Sequence, residues 1–418
     1  MDCCDATGLL SFEKACNNLI NDVNCTLDSE DIPLPLALNR ILATDIRASL
    51  QVPASDNSAM DGYALRAGDV AANTCLKLVG QSYAGHPYSG RINPGECIRI
   101  MTGAVMPTDA DAVEMQENTS ATGDQIYFSK PVKPGQHVRR AGEDIDRGDT
   151  VLTAGRRLTP VDIGLLASLG ITSLRVYKPL RIAVFSSGDE LCSPGATLTP
   201  GGIYESNGFV ICAMLRKLGF DVLDLGIIVD TEQAIEDAFS RAAENSDVII
   251  SSGGVSVGDA DYIKKVLLKI GEINFWKVAI KPGKPFVYGR LGKLAEKTAA
   301  PPVFFGLPGN PVSAVVTLDQ LAIPALCKMA GEQVKPRLQI QAPLAHGFKR
   351  HSGRTEFLRG QLSVDDQGNA TVSASTAQGS GILSSFTESN GYIVIPREKG
   401  DLQAGELVAF QPYDRALR

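Results

Sequence analysis

Apolar and polar positions along the chain change period several times, and each change marks a different kind of element. From Thr7 to Asn24 and again from Leu36 to Ala43 the apolar spacing is helical, with DIPLPLALNR as an extended, proline-bearing lead-in to the second stretch. After VPASDNSAMDGYAL the pattern breaks into short apolar stretches cut by Gly, Pro and Asn: LKLVGQSYAG, GECIRIMTGA, DAVEMQE and QIYFSKPVKPGQHVR. Short strands produce that signature, so a β-rich insertion is predicted. Helical spacing returns over Thr159 to Gly170, where Thr159 suits an N-cap, Pro160 the first helical position and Gly170 the stop. The first unit is therefore expected to resume after the insertion.

A strict alternation follows. LRIAVFSSG, DVLDLGIIV, DVIISSGG, FWKVAIK, FVYGRL and VFFGLPGN read as strands, and GFVICAMLRKLG, EQAIEDAFSRAAEN, DADYIKKVLLKIG and PVSAVVTLDQLAIPALCKMAG as helices between or after them. Strands alternating with helices predict a parallel sheet covered on both faces. Beyond about Gln333, LQIQAPLA, RTEFLRGQLSV, NATVSAS, NGYIVIPR and ELVAFQPY predict a small antiparallel barrel or sandwich. The fold class is thus multidomain α/β.

Composition narrows the function classes. With 418 residues the chain is long enough for roughly three cores. A net charge of -7 argues against a general nucleic-acid binder, so any anion site must be local. The nine cysteines are scattered without a C-x-x-C pair, which fits reduced thiols in a cytoplasm. No basic and apolar leader opens the sequence, and no run approaches the apolar length of a spanning helix.

Ligands of open α/β sheets bind beyond the carboxyl ends of the strands. There the chain carries Gly188-Asp189-Glu190, Asp230, the turn SSGGVSVGDADY with Asp259 and Asp261, KPGKP with Lys281 and Lys284, and LPGNPVS from Leu307 to Ser313. Any one acid is as readily a helix cap, but acids and lysines converging on one edge suit a magnesium-bound phosphate better. Glycines 253, 254 and 258 free backbone N–H groups for an anion, although the spacing matches neither G-x-G-x-x-G nor the Walker pattern. Asn310 and Pro311 read as a helix start, with a structural cap as the plainer alternative. The same turn contains G-x-S-x-G around Ser256, but that serine lies several residues past the apolar run, and the histidines downstream, His346 and His351, fall in the C-terminal β-unit. A serine hydrolase is correspondingly disfavoured.

The motifs DNSAMDGYA, IMTGA, RRAGEDI, SSGDEL, SSGGVSVGDADY, KVAIKPGKP, GLPGNPVS and QGSGILSSF resemble, in order and over nearly the whole chain, those of the molybdopterin molybdenumtransferase family, related to the gephyrin E domain. The resemblance implies an elongated subunit in four parts. These are a helical linker and dimerisation domain (1–46 plus 141–178), a β-rich lid (47–140), an α/β molybdopterin-binding domain (179–330) and a C-terminal β-barrel (331–418). It also implies a homodimer whose cleft joins the α/β domain of one subunit to the lid of the other. Asp61, Thr102 and Asp144 then belong to the lid side, and Glu190, Asp230, Asp261, Lys277 and Lys281 to the α/β side. Ser251, Gly253, Gly254, Gly258, Lys284, Pro308, Gly309, Asn310, Ser313, Arg354 and Ser380 would hold the anionic parts of the substrates. The implied reaction inserts molybdate into adenylylated molybdopterin with release of AMP, assisted by Mg2+ at Glu190, Asp230 or Asp261. Molybdopterin adenylyltransferase and molybdoenzyme maturation factors are the implied partners. A molybdopterin adenylyltransferase-like enzyme and a catalytically silent scaffold are the alternative readings.

Overall fold

The structure is a computed structural model that describes residues 9–254, 262–292, 294 and 301–418. It falls into two compact units, one of Met1–Glu30, Asn39–Ile41 and Val176–Arg418, the other of Asp31–Leu38 and Leu42–Arg175. The first helix, α1 (Phe12–Asp22), is capped by the Ser11 hydroxyl on the Lys14 N–H and buries Ala15 and Leu19 in the core of the larger unit.

The smaller unit is built on a six-stranded sheet. Its strands are β1 (Gly62–Leu65), β2 (Thr74–Ser82), β3 (Glu96–Ile100), β4 (Ala112–Met115), β5 (Thr119–Thr122) and β6 (Gln125–Phe128), in the order β4-β1-β3-β2-β6-β5. Alternate residues feed two small cores: Leu65, Cys97, Ile126 and Phe128 on one face, Ala64, Ile98, Ile100 and Val113 on the other. Helix α2 (Pro160–Ser168) starts as its sequence indicates: Thr159 and Asp162 form a reciprocal capping box, Pro160 sits in the first turn, and Gly170 follows with φ +70°. The helix expected over Leu36–Ala43 does not form. Leu34–Leu36 makes a single 3-10 turn instead, because Pro33 and Pro35 hold the entry extended and remove donors an α-helix would need.

The larger unit contains the α/β sheet. Strands β7 (Arg181–Ser187), β8 (Asp221–Ile228), β9 (Val248–Ser252), β10 (Glu272–Lys277), β12 (Pro285–Arg290) and β13 (Val303–Leu307) run in the order β8-β7-β9-β13-β12-β10, the short β11 (Ile280–Lys281) standing outside it. Strands β8, β7, β9 and β13 are parallel, as expected, but β12 runs antiparallel to both of its neighbours, β13 and β10. The physical reason lies in the connections: a parallel return needs a crossover of a dozen residues or more, and the short proline-rich link carrying KPGKP holds no helix. Continuous apolar runs are buried on both faces, Ile182, Val184, Ile250 and Phe305 toward one core and Ala183, Phe185, Ile249 and Phe304 toward the other. Helices α3 (Asn207–Lys217), α4 (Glu232–Asn245) and α5 (Tyr262–Ile270) cover the sheet, together with the helical stretch α6 (Pro311–Thr317), a π-turn (Leu318–Ala322) and α7 (Ile323–Met329).

That last stretch is long and apolar enough to meet the length and composition of a membrane span, contrary to the sequence reading, yet 89% of it is buried in the core. Pro324, next to the π-turn, has no N–H to give the Gln320 carbonyl four residues before it, and that carbonyl accepts from the Cys16 thiol of α1 at 3.7 Å. The C-terminal strands β14 (Ile340–Pro343), β15 (Thr355–Val364), β16 (Ala370–Ala374), β17 (Gly391–Ile395) and β18 (Leu407–Pro412) follow the order β16-β15-β17-β18-β14, and a bridge from Leu344 to Val372 closes them into a barrel. Its interior is filled by Ala342, Leu358, Val372, Ile393, Val408 and Phe410.

Candidate active site

Strand ends of the α/β sheet and two loops of the barrel surround one cleft of about 910 Å3. After β7, Gly188 and Glu190 line it, and the Glu190 carboxylate folds back over the turn, 2.7 Å from where a Cβ on Gly188 would stand. After β8 comes Asp230. It is not the cap of α4, since Thr231 takes that role with its hydroxyl on the Ala234 N–H. Asp230 instead accepts a hydrogen bond from the Ser187 hydroxyl at 3.4 Å. Burial, and then the neighbouring charges of Asp189 and Glu190, push its carboxyl above the usual range while Ser187 opposes them.

The glycine-rich turn after β9 is only partly a donor cradle. Gly253, at φ +85°, gives its N–H to the Leu307 carbonyl at 3.2 Å and passes so close to β7 that a Cβ would lie 2.5 Å from the Ser187 carbonyl. Its role is to let the loop cross, a correction to the expectation that it points its N–H at an anion. Gly254, at φ +63°, also lines the cleft. Gly258, Asp261, Asp259 and Ser256 lie outside the described residues.

After β13, Pro308, Gly309, Asn310, Pro311 and Ser313 line the same cleft. Asn310 occupies the N-cap position of α6, yet its side chain makes no capping hydrogen bond. The Val312 N–H of that first turn is taken by the Ser380 carbonyl at 3.0 Å, which ties the barrel loop to the helix.

Lys281, Lys284 and Arg354 bring positive charge. Lys281 does not stand at an end of the α/β sheet, as its position in the sequence suggested: β11 pairs in parallel with β15 of the barrel. Its ammonium donates to Glu356 at 3.4 Å. Arg354 and Lys284 line the cleft and have no carboxylate within ion-pair distance among the described residues. Lys277, exposed on β10, and Ser251, fully buried in β9, are not among the lining residues.

In the smaller unit, Asp61 and Thr102 are brought together. Asp61 accepts from the Thr102 N–H at 2.7 Å and its hydroxyl at 2.8 Å, and those two bonds hold its carboxyl below the ordinary value. Asp144 is exposed and lies in the same unit, where its N–H donates to the Val52 carbonyl at 3.0 Å. Asp56, in the same DNSAMDGYA motif as Asp61, pairs with Arg140 at 2.6 Å.

Some residues around the larger unit's cleft carry no local signal in the sequence. Asn207, 9% exposed, donates to the Ser252 hydroxyl and the Gly309 carbonyl, both at 2.8 Å, and so joins two cleft loops. Arg359, 1% exposed, lines the floor and donates to Ser385 and to the carbonyls of Ala377 and Gly379. Burial lowers its proton affinity. Only the position of Asn207 at the start of a helix could have drawn attention to it.

Fold and cleft together define an α/β domain whose strand-end loops share one cleft with a barrel that contributes cations and hydroxyls. Three family models cover the chain: the MoeA N-terminal region (domain I and II) at residues 10–170, a model described as "Probable molybdopterin binding domain" at 183–328, and the MoeA C-terminal region (domain IV) at 341–413. The molybdopterin molybdenumtransferase of Haemophilus influenzae is 43% identical over 98% of this chain and 100% of its own. Gephyrin of Dictyostelium discoideum is 33% identical over 94% of this chain and 60% of its own. A crystal structure of the molybdopterin biosynthesis MoeA protein from Pyrococcus horikoshii matches with a TM-score of 0.81 at 30% identity, over 97% of this chain and 100% of that one. This chain belongs to the MoeA family of molybdopterin molybdenumtransferases.

Proposed function

We propose that this enzyme inserts molybdate into the dithiolene of adenylylated molybdopterin, releasing AMP and the molybdenum cofactor. The observation that carries the reading is the composition of this cleft: two carboxylates, Glu190 and Asp230, and four cations, Lys281, Lys284, Arg354 and the buried Arg359, among glycine and proline loops. Such a surface suits a ligand that is both phosphorylated and accompanied by an oxoanion.

Magnesium fits the carboxylate donors, because burial and then the charges of Asp189 and Glu190 oppose ionisation of Asp230, and a hard cation would offset them. Among the described residues no group of three His, Cys, Asp or Glu is arranged to hold a metal, so phosphate oxygens would complete the shell at Glu190, Asp230 and Asp261. When bound, the ion supplies charge neutralisation to the phosphoanhydride. The chain's own residues do the rest. Lys281, Lys284 and Arg354 hold the molybdate dianion, with hydroxyls of Ser313 and Ser380 beside them. Gly254 and the loop of Pro308, Gly309 and Asn310 hold the pterin phosphate, and Gly253 keeps their strand crossing close. No side chain needs to form a covalent bond, since orientation and charge compensation suffice for an oxygen nucleophile to displace AMP at phosphorus.

In the same reading Asp61, Thr102 and Asp144 act from the lid of a second subunit, and Lys277 supports the α/β side. The four-part division given above, a homodimer, a cytoplasmic setting, supply of substrate by a molybdopterin adenylyltransferase and delivery to maturation factors of molybdoenzymes belong to it. The deciding assay supplies adenylylated molybdopterin and molybdate and follows AMP. Formation of adenylylated molybdopterin from ATP and molybdopterin would instead favour an adenylyltransferase, and neither reaction would leave a scaffold. Mixing inactive Asp61→Ala and Asp230→Asn subunits tests the shared cleft: after exchange, about a quarter of wild-type activity returns if each cleft takes residues from both chains. No recovery in a mixture shown to contain heterodimers refutes it.

A further inference from the structure

Glu356 is a buried carboxylate that does not itself line the cleft. It stands at the start of β15, and its register partner on β11 is Lys281. The Lys281 ammonium donates to Glu356 Oε1 at 3.4 Å, and Arg350 Nε lies 3.4 Å from the same oxygen without the alignment of a hydrogen bond. Arg350 is anchored elsewhere, donating to the carbonyls of Pro396 at 3.0 Å, Lys399 at 2.7 Å and Arg354 at 2.8 Å. The Glu356 side chain is 4% exposed and that of Lys281 49%. The hydrogen bond that the buried carboxylate receives therefore comes from a cation that reaches into the cleft.

We propose that Glu356 is a positioning residue for oxoanion capture. It accepts from the Lys281 ammonium and so fixes where that cation stands in the cleft. This rests on the reading that Lys281 and Arg354 hold molybdate. Charge alone predicts the opposite effect, since a carboxylate beside an anion site repels the anion and its removal would tighten binding. The two accounts differ in sign.

The experiment measures KM for molybdate and kcat at saturating adenylylated molybdopterin for wild type, Glu356→Gln, Glu356→Asp, Lys281→Ala, Arg354→Ala and the double variant Lys281→Ala/Glu356→Gln, each with its melting temperature. Loss of one charge-assisted hydrogen bond corresponds to about a tenfold rise in KM for Glu356→Gln, with kcat changed far less. In the Lys281→Ala background the same substitution has no further effect, because its action runs through the lysine. An unchanged or lower KM in Glu356→Gln overturns the proposal, as does an additive double variant. Glu356→Asp keeps a negative charge facing Arg350, so it serves where Glu356→Gln fails to fold: its KM rises about threefold, and no rise overturns the proposal. If Lys281→Ala and Arg354→Ala leave KM unchanged, the oxoanion assignment itself falls; if they raise it while Glu356→Gln does not, only the role of Glu356 falls.

Discussion

Replacing Asp230 by Asn separates what the cleft does for function from what it costs the fold. The carboxyl of Asp230 is raised above its ordinary value by burial first, then by the charges of Asp189 and Glu190, against one hydrogen bond from Ser187. A folded-state value above the unfolded one means that the neutral form is favoured by folding. The corresponding stability is fully present below the unfolded value and is lost as the pH rises through the folded one, so at neutral pH the ionised group weighs against the fold. Asparagine keeps the shape and an acceptor for Ser187 while removing the charge. Because the group is only partly shielded, solvent screening limits the gain to about 0.5–1 kcal/mol. For a unit of this size that is a rise of about 1–4 °C in melting temperature. Thermal melts of both proteins in chelator at pH 7.5 and again near pH 4 measure it: the variant melts higher at pH 7.5, and the gap narrows in acid. Magnesium raises the melting temperature of the wild type more than that of the variant, whose AMP release is lost. A variant that melts lower at pH 7.5, or a gap that ignores pH, would refute the electrostatic account.

Asn310→Ala leaves stability within about 0.5 kcal/mol, because no capping hydrogen bond is lost, but lowers turnover about tenfold; a marked drop in melting temperature would show a hidden cap. Gly253→Ala costs about 2–4 kcal/mol in chemical denaturation, since alanine at φ +85° would also meet the Ser187 carbonyl at 2.5 Å. A near-neutral result would mean that the loop can relax. Arg337→Met strips the partner at 3.0 Å from Asp319, a fully buried carboxylate of the π-turn, and destabilises by about 3–5 kcal/mol; a loss under about 1 kcal/mol would exclude a paired, ionised Asp319.

Period and local chemistry made much of this protein legible from its residues. The capping box and proline of α2, the doubly buried runs of β7, β9 and β13, and the loops gathering Glu190, Asp230 and the LPGN segment follow from signals within a few residues of one another. Helical spacing over Leu36–Ala43 misled because two prolines upstream outweigh it. The tertiary structure alone decided what depends on distant partners. Strand β12 runs against both its neighbours because the short link from β10 holds no crossover helix; the Gly253 N–H is taken by Leu307; and Lys281 joins the barrel sheet opposite Glu356. Backbone donors and buried charges are satisfied by whichever segment packs nearest, and that choice is made by the assembled core, where residues remote in the chain share one surface.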